Sequence, residues 1–114
     1  MKYALLVYET PAELSKRTSP DAPAYWAAWK AFSDAIGASG VMVGGAGLEP
    51  PSTATSVRSV NGKRTVQDGP FADSKELLGG FFLLDVPNLD AALAWAARVP
   101  VGSGTVEVRP LMTM

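Results

Sequence analysis

Apolar residues along this chain change their period several times, and each change marks an element. Tyr3 to Glu9 is a short, almost continuous apolar run, the pattern of a strand buried on both faces, and Pro11 ends it. The polar, proline-bearing stretch around Ser15 to Pro23 reads as a loop. Ser19 or Asp21 is placed to cap the next helix, with Pro20 or Pro23 in its first turn. From Pro23 to about Ser39, Tyr25, Trp29, Phe32 and Ile36 recur on one side of a helix that Gly40 stops. Val41-Met42-Val43 is then a short strand broken by Gly44, Gly45 and Gly47, a bulge or turn.

Thr55 to Val60 and Lys63 to Gln67 flank Asn61-Gly62, a strong hairpin signal. Asp68 to Gly79 is a long loop with room for a helical turn at Ser74 to Leu78. Gly80 to Val86 follows as a strand apolar on both parities. Asn88 caps a second helix with Leu89, Leu93 and Ala96 on one face, and Val99-Pro100 ends it. Thr105 to Pro110 alternates, as a half-exposed edge strand does.

Strand, helix, strand, hairpin, strand, helix, strand is an α+β order. It predicts a ferredoxin-like (split βαβ) domain with an inserted β-hairpin, spanning residues 1–114 as one unit. Both helices of that plan cover one sheet face. The two central strands are apolar on both, so a second copy is expected to cover the other face, giving a homodimer that encloses a cavity for a small-molecule ligand.

Composition narrows the chemistry. With a net charge of -1 and no basic run, the electrostatic footprint of nucleic-acid binding is missing. Absence of cysteine and histidine removes disulfides, thiolate catalysis and the commonest general base. No transition-metal site is expected, with a weak oxygen-ligated magnesium or calcium still allowed. No cofactor motif stands out either, since Gly44-Gly45-Ala46-Gly47 opens no helix and no Lys-Ser or Lys-Thr follows. The first apolar run is too short for a signal peptide or a membrane span, so a cytoplasmic protein is expected.

Gln67-Asp68-Gly69-Pro70-Phe71-Ala72-Asp73-Ser74-Lys75-Glu76, followed by Gly79-Gly80-Phe81, resembles the signature of the DGPF group of YCII-related proteins. Lys2 to Tyr8, Gly44 to Leu48 and Val106 to Met112 extend the likeness over nearly the whole chain. The resemblance implies a dimeric α/β barrel. It also suggests an accessory or sensing role of the kind encoded beside extracytoplasmic-function sigma factors. A related branch carries a histidine–aspartate pair proposed as catalytic, which this histidine-free chain cannot supply.

Within the motif, Asp68, Phe71, Lys75 and Glu76 are the candidate ligand-binding residues, because long loops held by a rigid scaffold tend to carry function. The plainer alternative makes Asp68 a turn-former and pairs Lys75 with Asp68 or Asp73 as a surface ion pair. Trp26 lies off the Tyr25–Trp29–Phe32 stripe and is placed to rim a cleft, while Trp29 belongs to the core. Arg58 and Arg109 are exposed strand charges or carboxylate binders. The function is then a small-ligand-binding or accessory homodimer. The alternative is a cofactor-free enzyme, lactone isomerase-like or small monooxygenase-like, with Asp68 or Glu76 as general acid or base.

Overall fold

The computed structural model describes residues 1–71 and 74–113. The chain runs β1 (Lys2–Glu9), α1 (Pro11–Ser15), α2 (Ala22–Ser39), β2 (Met42–Gly47), β3 (Thr55–Val60), β4 (Lys63–Asp68), β5 (Leu77–Asp85), α3 (Leu89–Ala96) and β6 (Thr105–Pro110). Single 3₁₀ turns lie at Lys16–Thr18 and Pro51–Thr53. Four strands form one antiparallel sheet in the order β2-β5-β1-β6, so the two strands apolar on both parities are central. This α+β arrangement is compatible with the ferredoxin-like plan. β3 and β4 pair only with each other, turning through Asn61 and Gly62, both at positive φ as a tight hairpin turn requires. No helix among the described residues is long and apolar enough to cross a membrane.

Register decides which side chains meet. Leu5 lies opposite Phe82 and Val108, and Tyr3 opposite Leu84, so these residues share one face with Val7, Gly80 and Val106. Phe32 and Ile36 of α2 and Ala92 of α3 close over that face to form the core. Burying a side chain such as Leu5, Ile36 or Leu84, all fully enclosed, stabilises by about 1.5–3 kcal/mol. Leu6, Phe81 and Leu83 lie on the opposite face and take no part in this cluster.

Several elements depart from the sequence expectation. A helix, α1, occupies Pro11–Ser15; Thr10 caps it, accepting from the Glu13 amide at 3.2 Å, and Pro11 sits in its first turn. β2 runs through its glycines instead of stopping at Val43, and only Val43 is bulged out of register between Met42 and Gly44. The helical turn expected at Ser74 to Leu78 does not form, and β5 begins at Leu77. On α3 the Leu89–Leu93 stripe is exposed and Ala92 is the buried residue, since small side chains let the helix approach the sheet closely. Trp29 is half-buried at the edge of the core.

Candidate functional site

Glu9 ends β1 with the same parity as Tyr3, Leu5 and Val7, so the strand carries its carboxylate to the helix side of the sheet. It is only 2% exposed. An unpaired carboxylate there would be very costly, and two neighbours prevent it. Arg17, on the turn after α1, reaches Glu9 Oε1 with Nη2 at 2.9 Å. Tyr25, in the first turns of α2, donates its hydroxyl to Oε2 at 2.6 Å.

The guanidinium is held from every side. Nε donates to the Tyr25 hydroxyl at 3.1 Å, Nη1 to the Leu48 carbonyl at 2.7 Å, and Nη2 also to the Gly79 carbonyl at 3.4 Å. Trp26 lays its ring 5.8 Å from the guanidinium carbon and donates its indole N–H to the Arg17 carbonyl at 3.2 Å. Burial, and then the hydrogen bond to Glu9, push the Tyr25 hydroxyl above its ordinary range, with Arg17 opposing, so it stays protonated as a donor. For Arg17 burial favours the neutral form, but bonds to Tyr25 and Glu9 outweigh it and raise its pKa. Gly79 makes the cluster fit: a Cβ there would lie 2.5 Å from Glu9 Oε1 and 3.2 Å from Arg17 Nη2.

Above this cluster opens a cavity of about 550 Å³, walled by Trp26, Trp29, Met42 and Phe82. Gly47 of β2 leaves it room, whereas a Cβ on Gly45 would press on the Phe81 carbonyl and Phe82 Cα of β5. Gly45 lies opposite Phe82 and Gly47 opposite Gly80, on the cavity side of the sheet. A Cβ on Gly47 would touch nothing within 4 Å. The indole N–H of Trp29 is buried without a partner among the described residues. Such a site can hold a flat, largely apolar molecule against the aromatic wall, with a polar floor below. A second concavity, about 470 Å³, lies beyond the shared wall of Leu48, Glu49 and Pro50, and includes Tyr8, Glu76 and Leu78.

The four motif residues are dispersed. Asp68 is exposed at the end of β4, and Lys75 is exposed just before β5. Phe71 is 70% exposed beneath Arg58, whose guanidinium carbon is 5.4 Å from its ring. Glu76 is half-buried, accepts from Thr105 Oγ1 at 2.7 Å and lines the second concavity. Asp73, the other expected partner of Lys75, lies outside the described residues. Of the described residues of the motif region, only Gly79 and Gly80 line the larger cavity, and Trp26 stands on its rim. Sequence reasoning missed Glu9 and Arg17 and placed Tyr25 only in the core. The available signal was a carboxylate on the buried parity of a central strand.

Over residues 1–114 the chain matches the YCII-related domain, and it belongs to that family. An uncharacterised protein of Rhizobium meliloti (strain 1021) is 43% identical over 67 residues, which is 56% of this chain and 54% of that protein. The chain thus spans about half the length of the curated relative it matches. Among solved structures it resembles a 5-chloro-2-hydroxyhydroquinone dehydrochlorinase from Burkholderia phenoliruptrix AC1100, in complex with 2,5-dihydroxybenzoquinone. The TM-score is 0.57 at 16% identity, covering 100% of this chain and 96% of the other, a likeness of fold.

Proposed function

We propose that this protein is a cytoplasmic homodimer of the DGPF group that binds a small planar ring in the cavity above Glu9, Arg17 and Tyr25, as an accessory or sensing protein. The observation that carries this reading is a buried, hydrogen-bonded ion pair beneath an aromatic-walled space. A core needs no such pair, and hydrophobic side chains of similar volume would often serve stability as well. The fold neighbour, described with a bound quinone, supports a ring-shaped ligand by analogy.

Dimerisation is supported by Leu6, Phe81 and Leu83 on the sheet face that the helices leave uncovered. A partner lying there would also close the second concavity. Asp68, Phe71, Lys75 and Glu76 are then assigned to the rim of the assembled pair's opening. A clean monomer mass in sedimentation equilibrium at micromolar concentration would defeat the dimer.

A second reading, a cofactor-free acid–base enzyme, is favoured by the 2.6 Å contact between the Tyr25 hydroxyl and Glu9 at the cavity floor. One experiment addresses both. Substituted phenols and quinones are titrated against the protein while the fluorescence of Trp26 and Trp29 is followed. Gly47→Leu should fill the cavity without disturbing the fold and abolish quenching. Unchanged quenching in that variant would remove the cavity from the function. Conversion of a quenching compound by the parent, lost in Tyr25→Phe with binding retained, would favour the enzyme.

A further inference from the structure

Resting on the cavity reading, we infer that the site takes its ring uncharged and rejects the same ring as an anion. An arginine at the floor of an aromatic pocket is ordinarily an anchor for a carboxylate or phenolate. Here that capacity is used up. A guanidinium has five N–H bonds, and four are directed at Glu9, Tyr25, Leu48 and Gly79. One Nη1 hydrogen is left, too few for the two-pronged grip that makes arginine selective for anions.

Charge points the same way. The ionisable groups lining the cavity are Glu9 from β1, Arg17 from the turn after α1, Tyr25 from α2 and Glu49 from the segment after β2. Glu9 already neutralises Arg17 at 2.9 Å. Tyr25 carries no charge while protonated, and Glu49 stands exposed with no salt bridge among the described residues. Two carboxylates against one guanidinium leave the lining negative. An anion would be desolvated among Trp26, Trp29, Met42 and Phe82 while facing Glu9, with no free cation among the described lining residues to offset the loss. A neutral ring gives up only its apolar hydration. Arg17 is therefore a positioning residue, holding Glu9 and the Leu48 wall.

A matched pair of probes tests this. 4-Nitrophenol ionises near neutral pH, whereas 4-nitroanisole has the same ring and cannot ionise. Both are titrated by equilibrium dialysis against the parent, across the ionisation of the nitrophenol and well below that of Tyr25. Nitrophenol should lose affinity as pH rises, about tenfold per unit once mostly ionised, while nitroanisole stays level. Nitrophenol binding that stays constant or strengthens as its anion forms would overturn the inference and leave the cavity standing. If neither probe binds, or both bind Gly47→Leu as well as the parent, the cavity reading fails and the inference falls with it.

Discussion

The Glu9–Arg17–Tyr25 cluster and the β3–β4 hairpin invert the usual distribution of polarity in opposite ways. In the first, a carboxylate and a guanidinium sit where side chains are almost wholly enclosed, at 2% and 11% exposed. In the second, Val57, Val60 and Val66 stand in solvent, each more than half exposed. Each buried charge finds its complement within the chain, so that region is complete as it stands. Among the described residues the hairpin finds none. The molecule measures 45 × 44 × 19 Å along its principal axes, and its Cα radius of gyration is 15.8 Å. A compact domain of this length would measure about 13 Å. On the proposed function, a small molecule belongs above the cluster, and a second chain against the hairpin and the sheet face opposite the helices.

The completeness of the buried cluster can be broken most severely by removing one charge. Arg17→Met should leave Glu9 buried and unpaired and cost about 3–5 kcal/mol, read as a lower urea midpoint. Glu9→Leu combined with Arg17→Met should recover most of that loss. If the double variant is no more stable than the single one, mutual neutralisation is not what Arg17 supplies. Gly79→Ala probes the same cluster more gently. The backbone there needs no positive φ, so the cost, about 1–3 kcal/mol, comes from displacing the Glu9–Arg17 contact. An unchanged midpoint would mean that the pair moves aside freely.

The buried region couples folding to titration through Tyr25. Its folded pKa lies above the ordinary value of 10.0. The folded state thus keeps a proton that the unfolded chain gives up first. Stability from this source is fully present below pH 10 and is lost as pH rises through the folded pKa. The stability difference between the parent and Tyr25→Phe should stay level between about pH 8 and 9.5 and then shrink. Tyr3 and Tyr8 are common to both proteins and cancel. A difference that stays constant through strongly alkaline pH would remove the coupling.

Much of the scaffold was legible in the sequence because it rests on periodicity. Alternation exposed β6, Tyr25–Phe32–Ile36 drew α2, and Asn61-Gly62 fixed the turn. Short elements carried by capping chemistry were harder. α1 is only five residues long, and its sign is the spacing of Thr10 and Glu13 rather than an apolar stripe. Leu89 and Leu93 misled because periodicity finds a stripe but not the side on which the sheet lies. The cavity was illegible for a different reason. Its floor joins Glu9, Arg17, Tyr25 and Gly79, which meet only after β1 and β5 have paired, and part of its space is left by Gly47. A missing side chain leaves no periodic signal. The DGPF motif, conspicuous as a string, contributes to the buried cluster only where its segment enters β5.

The smallest expected effect on a single folded chain falls on the hairpin, and it is the one that separates the two halves of the comparison. Val57 and Val66 lie opposite each other across β3 and β4. Both are 58% exposed, so replacing them with threonine deletes no buried contact and keeps a β-branched shape suited to a strand. Stability measured at high dilution, where association is negligible, should shift by about 0.5 kcal/mol or less. At high concentration the outcome should differ. If a second copy covers these valines, the parent's melting temperature rises with protein concentration by mass action, and the Val57→Thr, Val66→Thr protein loses much of that rise. A fall in stability well beyond 0.5 kcal/mol at high dilution would show that the valines are already covered within one chain. An undiminished concentration dependence would place the dimer contact elsewhere, leaving Phe81 and Leu83 of the open sheet face as the surface to test.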